Sequence, residues 1–144
     1  MKHFLFSTHD LASFEECVEN NQFWGTLNNK DAFKDLDITK GDSVIFYCAE
    51  LKSFIAECEV LEKPASVFNY PDLKNWQKEN WLVPVVVRLK KIKGINFELN
   101  DSNWKFLTTF NHLKDRKSVS GSLQSKPRRE IDSLDYKYII NSNV

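Results

Sequence analysis

Three apolar runs in the middle of the chain constrain its fold more than any other feature. Residues 43–49 are rich in β-branched and aromatic side chains and contain no charge, which is typical of a central strand. Residues 54–60 alternate apolar side chains with two glutamates, which predicts a strand with one face in water. Residues 82–89 are a third run, with Pro84 near its start and a turn predicted at residues 93–94. We expect one sheet, with the first two runs paired as a hairpin.

A strand and a helix are predicted before this sheet. Residues 3–7 form a short apolar run that suits a buried strand. The segment after it predicts a helix that ends by residues 20–21 and begins either after Asp10 as N-cap or at the capping-box spacing of Ser13 and Glu16. Its apolar positions, at helical spacing, are Leu11, Phe14 and Val18.

The C-terminal part predicts two more helices. Residues 103–110 suit a short helix that turns Trp104 and Leu107 toward the core. A C-terminal amphipathic helix is expected to place four residues on its apolar face, namely Ile131, Leu134, Tyr138 and Ile139. The polar residues between these two helices are expected to form a loop.

Together these elements indicate one α+β domain over residues 1–144. We expect a small curved sheet or partly open barrel flanked by helices, because strands dominate the middle and helices lie near each end. The chain has no apolar run of about 18 residues and its start is too short for the apolar segment of a signal peptide. We therefore expect a cytoplasmic protein without membrane contact.

Neither the cysteines nor the histidines predict a metal or cofactor site. Cys17, Cys48 and Cys58 lack CxxC spacing and lie in apolar segments, which favours buried free thiols. The three histidines are not paired at the spacing of metal ligands. A P-loop and a GxSxG motif are also absent from the sequence, so it predicts a binding module and not an enzyme.

Three tryptophans fall in polar segments, where a solvated loop does not need large aromatic side chains. Trp24 follows the first helix, and Trp76 and Trp81 flank a polar tetrapeptide between two predicted strands. Flat indole faces suit stacking on a nucleobase, which contributes roughly 1–3 kcal/mol per base. Each tryptophan alone also suits the edge of a core, and only the set of three favours a base pocket. Gly25, directly after Trp24, permits a close backbone approach to a ligand.

The formal net charge of zero conceals an uneven distribution of charge along the chain. Residues 1–80 contain 8 basic and 14 acidic side chains, whereas residues 81–144 contain 12 basic and 6 acidic ones. A dipolar surface of this kind presents a basic face to a polyanion, while its acidic face limits nonspecific binding. Compositional drift without a function is the alternative interpretation.

A basic cluster with hydroxyl groups among it lies in the C-terminal half. Only Asp115 opposes its positive charge, and a glycine amide lies among the serines. We predict that this cluster contacts phosphate, the alternative being an ordinary solvated loop. Its members are Lys114, Arg116, Lys117, Ser118, Ser120, Lys126, Arg128 and Arg129.

The order of several short motifs resembles the EVE domain of the PUA-like superfamily. The matching segments span nearly the whole chain in the expected order, and they are residues 23–26, 40–47, 54–60, 94–97 and 135–139. The related YTH domains, which recognise N6-methyladenine, are similar in a further respect: a tryptophan after the first helix and two tryptophans five positions apart before a strand. Trp24, Trp76 and Trp81 match that layout.

The YTH resemblance implies a role for each of these tryptophans. Trp24 and Trp81 would line a base that has left its stack, and Trp76 would close the cage around its methyl group. Hydrogen bonds to the base would come from the first strand-to-helix turn and from the backbone after Trp24, which here means Thr8, His9, Asp10, Gly25 and Thr26. The side chains of that turn differ from the serine and asparagine usual in the family.

Because of that departure, the recognised base has two alternatives, N6-methyladenine and a modified cytosine. EVE-like readers in modification-dependent restriction systems slightly favour DNA over RNA as the partner, and they imply a fused or associated nuclease or motor subunit. The alternative of a different class is a module that holds a free nucleoside or a protein side chain in the same aromatic pocket.

Overall fold

Six strands form one mixed sheet in the residues that the structure, a computed structural model, describes: 1–25, 33–76 and 84–142. The strands are β1 (His3–Thr8), β2 (Phe23–Gly25), β3 (Ser43–Cys48), β4 (Ser53–Ser66), β5 (Val85–Glu98) and β6 (Arg128–Ile131). Their order across the sheet is β2-β5-β4-β3-β1-β6. β1 and β3 are parallel, whereas the other neighbours are antiparallel. β2 and β6 are the two edges, so the sheet does not close into a barrel.

Helices and short helical segments connect and cover these strands. The α-helices are α1 (Leu11–Phe14), which continues as a π-helical stretch at Glu15–Glu19, α2 (Ser118–Ser125) and α3 (Ser133–Asn141). The 3-10 segments are Val67–Asn69, Pro71–Trp76 and Trp104–Phe106. The mixed sheet with flanking helices confirms the predicted α+β class.

The sheet is apolar on both faces. Successive residues of its inner strands are apolar, and they point alternately to opposite sides. Phe4, Phe6 and Phe46 belong to a cluster on what we call the first face, which α1 and the π-helical stretch cover with Phe14 and Val18.

The opposite side of the sheet, called the second face, has its own core. Leu5 of β1 and Ile45 of β3 pack there against Val119 and Leu123 of α2 and against Ile139 of α3. A sheet buried on both sides explains why the central runs contain few charges.

The elements around β1 and β3 agree with the predictions. Asp10 accepts a hydrogen bond from the backbone amide of Ser13 at 2.7 Å, which confirms it as the N-cap of α1. β3 and β4 pair as an antiparallel hairpin, which confirms the predicted pairing of the first two apolar runs. Trp104 and Leu107 are both buried in the core, as expected, but the predicted helix over residues 103–110 is only a 3-10 turn at Trp104–Phe106.

The predicted pattern of β4 is wrong at one important position. Glu57 was expected in water, but it is only 7% exposed. Its carboxylate accepts hydrogen bonds from the hydroxyls of Ser43 and Tyr136 on the second face. A register shift between Phe54 and Ala56 also sends these two residues to opposite cores. A buried carboxylate with two donors costs far less than an unpaired one, so the glutamate is tolerated inside.

Two further predictions about β5 and the C-terminal part are wrong. No turn interrupts β5 at residues 93–94, because Gly94 pairs with Ala56 and the strand continues to Glu98. The expected loop over residues 111–130 contains α2 and the start of β6. Ile131 lies in β6 and not in the last helix, and Leu134 is exposed on α3.

Among the helices that the structure describes, none is long and apolar enough to cross a bilayer. The three cysteines are free thiols, two of them buried.

Candidate nucleic-acid interface

The short edge strand β2 directs two neighbouring aromatic residues to opposite sides of the sheet. Phe23 joins a small cluster with Val67, Leu73 and Val86, whereas Trp24 belongs to the core of the first face. Trp24 is 7% exposed, and no described residue accepts a hydrogen bond from its buried indole Nε1. Its ring lies edge-on to Phe46, with centroids 5.1 Å apart and an interplanar angle of 77°. The structure therefore places most of the Trp24 ring in the core.

A series of ring contacts runs from Trp24 to the opposite edge of the sheet. Phe46 contacts Phe6 at 5.7 Å, and Phe6 contacts Phe33 at 5.8 Å between ring centroids. The Arg128 guanidinium on β6 lies over the Phe33 ring, 5.7 Å from its centroid. Trp24 and Arg128 are thus connected through three phenylalanine rings on one face of the sheet.

Arg128 also lines a small basic pocket, called the basic pocket below. It has a volume of about 190 Å³, and its cationic side chains are Lys34, Lys126 and Arg128, with Asp35 as the acidic neighbour. Burial lowers the pKa of the Arg128 guanidinium from its ordinary value, but a guanidinium stays charged at neutral pH. Lys34 and Lys126 are exposed, so positive charge faces the solvent at this pocket.

The turn between β1 and α1 opens onto a larger groove of about 570 Å³. His9 and Asp10 line it together with Glu50 from the end of β3 and Ser120 from α2. β1 and β3 are parallel neighbours, so their carboxyl ends lie side by side, which explains why His9 and Glu50 are neighbours there. The groove meets the basic pocket at Pro127, which lines both.

Two residues of this turn have internal hydrogen bonds. The Thr8 hydroxyl is buried and donates to the carbonyl oxygen of Asp10 at 2.8 Å. One carboxylate oxygen of Asp10 accepts from the Ser13 amide, and hydrogen bonding from the Ser13 side chain, together with this amide bond, lowers the pKa of the carboxyl from its usual value. Asp10 and the exposed His9 both line the groove, where hydrogen-bond partners for a base edge are needed.

Trp76 lies at the end of the 3-10 segment Pro71–Trp76 and is partly buried. Its ring packs against Phe23 with centroids 5.0 Å apart and an interplanar angle of 65°. Because Phe23 and Trp24 point to opposite sides of β2, the described ring contacts do not join Trp76 to Trp24.

Two arginines of the predicted phosphate cluster lie on the second face, away from Trp24. Arg129 is 7% exposed and donates to the carbonyl oxygens of Ser122 and Lys126 at 2.7–3.1 Å. Arg116 donates to the carbonyl oxygen of Leu99 at 3.0 Å and to the Tyr47 hydroxyl at 3.2 Å. Because their donors are bound internally, we leave both arginines out of the proposed contact surface.

The remaining members of the cluster lie around the start of α2. Lys114 and Lys117 are exposed, whereas Ser118 donates its hydroxyl to Asp115 at 2.9 Å. Ser120 faces the larger groove.

Three residues of the predicted base pocket remain. Gly25 pairs with Val86 at the end of β2. Two predicted site residues, Thr26 and Trp81, lie outside the described residues.

Sequence reasoning missed Lys34 and Glu50, which line the basic pocket and the larger groove, and Arg88, which contacts Gln22 and Asp72. Lys34 lies in a polar stretch with no motif, so only the fold brings it to Lys126 and Arg128. Glu50 resembled an ordinary turn residue, yet its carboxylate accepts from the Leu11 amide at 3.2 Å. Arg88 had a detectable signal, because it is a single charge inside the apolar run of residues 82–89.

Comparison with known proteins shows similarity at the level of the fold. No family model and no curated protein matches this sequence. Solved structures do match over nearly the whole chain. The YTH domain of Zygosaccharomyces rouxii MRB1, in complex with N6-methyladenosine RNA, has a TM-score of 0.64 and 16% identity and covers 97% of this chain and 82% of its own.

Two further structures show the same similarity. The Mmi1 YTH domain in complex with RNA has a TM-score of 0.62 and 13% identity, over 97% of this chain and 76% of that one. Atu2648 from Agrobacterium tumefaciens has a TM-score of 0.60 and 14% identity, over 98% and 92% respectively. At such low identity the likeness concerns the fold alone, and this chain has the YTH-like fold that its sequence motifs implied.

Proposed function

We propose that this protein is a binding module that recognises a modified nucleobase in a nucleic acid strand. In this proposal the base leaves its stack and enters a pocket lined by Trp24 and Trp81, with Trp76 closing or supporting the wall. Structures with the same fold include YTH domains in complex with RNA, one of them N6-methyladenosine RNA, and this supports the proposal.

The single observation that supports it most is the series of ring contacts from Trp24 to Arg128. It places Trp24, which is 7% exposed, on the same face of the sheet as a cationic pocket suited to phosphate. Phosphate contacts fix a strand on a protein but do not identify its bases, and a stacked base pocket supplies that missing selectivity. Unstacking the base costs a few kcal/mol, which contacts of Lys34, Lys126 and Arg128 with phosphates would offset.

The larger groove supplies the polar contacts that the proposal needs. A carboxylate accepts hydrogen bonds from the amino group of adenine or cytosine, and Asp10 and Glu50 present such oxygens beside the β1–α1 turn. We propose that His9 and Asp10, with the backbone after Trp24, contact the edge of the bound base. The carboxylates disfavour a phosphate there, so the backbone of the strand would follow the basic pocket instead.

RNA containing N6-methyladenosine is the first ligand to test, because it is present in a complex of the same fold. Modified DNA, a modified cytosine and an associated nuclease or motor subunit remain predictions from the resemblance to EVE domains. Comparison of matched DNA and RNA strands tests modified DNA and modified cytosine as ligands. Co-purification from the source cells tests for an associated nuclease or motor subunit.

The experiment compares wild-type protein with Trp81→Ala and Trp104→Phe. Each is titrated with a single-stranded RNA carrying one N6-methyladenosine and with the same RNA unmodified, at one salt concentration. Trp81→Ala is expected to lose the preference for the modified strand, whereas Trp104→Phe, altered in the second-face core, keeps it. An unchanged preference in Trp81→Ala would overturn the proposal. Tight binding of the free methylated nucleoside, unaffected by Lys126→Ala and Arg128→Ala, would indicate a small-molecule module instead.

A further inference from the structure

Arg88 of β5 connects two segments that contain tryptophans. On one side its Nε donates to the carbonyl oxygen of Gln22 at 3.0 Å, and its Nη2 donates to that of Asn21 at 3.3 Å. On the other side its Nη1 pairs with the Asp72 carboxylate at 3.0 Å. The Arg88 side chain is only 15% exposed, whereas the Asp72 side chain is 58% exposed.

The first of these links fixes the backbone that enters β2. Gln22 has a φ of 55°, a left-handed conformation that costs energy for a residue with a side chain. Its carbonyl oxygen accepts from Arg88 Nε and from the Leu89 amide at 3.1 Å. This turn directly precedes Phe23 and Trp24, so it decides where β2 begins and therefore which residue points to the first face.

The second link fixes the 3-10 segment that ends at Trp76. Asp72 lies in the first turn of that segment, and the Arg88 hydrogen bond lowers the pKa of its carboxyl from the ordinary value. The Arg88 guanidinium also lies over the Tyr70 ring, 4.9 Å from its centroid. The Tyr70 hydroxyl in turn donates to Glu62 of β4 at 2.7 Å, which holds the segment against the sheet.

We infer that Arg88 is a positioning residue that sets the location of the Trp24 segment relative to the Trp76 segment. Its planar guanidinium reaches a carboxylate, two carbonyl oxygens and a ring at once, which an ammonium group does not. The packing of Phe23 against Trp76 is a second link between the same segments. The inference deepens the proposed function, because Trp81 lies a few residues beyond Trp76 and an aromatic pocket works only when its walls are correctly spaced.

The first test needs no ligand. The four tryptophans are labelled with ¹⁵N at the indole nitrogen, and their cross-peaks are recorded for wild type, Arg88→Met, Arg88→Lys and Asp72→Asn. Arg88→Met is expected to shift the Trp24 and Trp76 peaks and leave the Trp104 peak of the second face in place. Asp72 is an exposed partner, so Asp72→Asn tests the same link with little risk to folding, and it is expected to move the Trp76 peak.

A matched control is available on the same strand. Lys91 forms an ion pair with Glu19 at 2.8 Å, so Lys91→Met also removes a charge and an ion pair from β5. It is expected to leave the Trp76 peak unmoved. Arg88→Lys keeps the charge without the fork, and its Trp76 peak is expected to lie between those of wild type and Arg88→Met. Unmoved Trp24 and Trp76 peaks in folded Arg88→Met and in Asp72→Asn would overturn the inference.

The second test measures discrimination at a temperature where every variant is fully folded. Arg88→Met is expected to lower the preference for a modified strand over the unmodified one by about tenfold, as loss of one stacking wall does. A merely structural role would lower the melting temperature and leave this ratio unchanged. If wild-type protein shows no preference for any modified strand, the proposed function fails, yet the indole peaks still decide the positional role of Arg88.

Discussion

The rings of Phe23 and Trp76 lie 5.0 Å apart, so a residue of the shortest strand packs on the tryptophan at the end of a 3-10 segment. Because Trp24 follows Phe23 on the other side of β2, movement of this ring pair would also move Trp24. The aromatic pocket that we propose therefore depends on packing behind its wall as well as on the wall itself.

Replacement of Trp76 by alanine is expected to affect both stability and selectivity. The change removes the contact with Phe23 and part of the small cluster around Leu73, at a cost of about 2–3 kcal/mol in the free energy of unfolding. Urea unfolding measures this cost. Trp76→Phe keeps a ring on Phe23 and serves as the matched variant, expected to recover most of the stability. Wild-type stability in Trp76→Ala would show that the ring contact is unimportant in solution.

Loss of a cation from the basic pocket is expected to change the salt dependence of binding. For a single strand, each phosphate contact contributes about 0.7 to the slope of log affinity against log salt concentration. Lys126→Ala and Arg128→Ala are each expected to reduce the slope by about that amount and to leave the preference for the modified base intact. Lys137→Ala, an exposed lysine on α3, is the control and should leave the slope unchanged. Equal slopes in all four proteins would contradict phosphate binding at this pocket.

Arg129 is expected to behave as a structural residue although it neighbours Arg128 in sequence. Arg129→Met removes the guanidinium donors to the carbonyl oxygens of Lys126 and Ser122, of which the Ser122 oxygen keeps the Lys126 amide, and this loss costs about 1–3 kcal/mol. Denaturant titration should show this loss, while the salt slope of the folded variant stays at the wild-type value. A reduced slope with unchanged stability would place Arg129 at the phosphates instead.

The thiols of the buried Cys58 and the half-buried Cys17 are expected to resist modification in the native protein. Burial raises the pKa of Cys58 to about 12, and it does the same for Cys17. Because the thiolate is the reactive form, iodoacetamide at pH 8 should modify both cysteines quickly in urea and slowly in buffer. The folded state keeps these protons above pH 9 while the unfolded state loses them, so stability should fall as pH rises from about 9 toward 12. Fast alkylation of Cys58 in native protein would contradict its burial.

The sequence alone predicted the elements whose signals are local. Asp10 caps α1 because its side chain reaches an amide three residues on, and the β3–β4 hairpin follows from two adjacent apolar runs. α2 was missed since four serines and a glycine give it low helix propensity. β6 begins with two arginines and a glutamate, and only its pairing with β1 makes it a strand.

The candidate site was predicted less completely because its parts meet through the fold. Tryptophans in polar segments were visible in the sequence, and so was the concentration of basic residues near α2. The strand alternation that turns Arg128 to the first face and Arg129 to the second could not be read from an unrecognised strand. Lys34 and Arg128 line the same pocket although they are 94 positions apart in sequence, and no local sequence pattern predicts that they lie together.

The most direct test of the central claim is a fluorescence titration of wild-type protein with matched strands. Each strand contains one adenine, N6-methyladenine, cytosine, 5-methylcytosine or 5-hydroxymethylcytosine at the same position, in DNA and in RNA, at a single salt concentration. The account predicts that one modified base quenches tryptophan fluorescence strongly and binds about tenfold or more tightly than its unmodified form. Equal, salt-sensitive binding of all the strands would contradict it and leave only a basic surface.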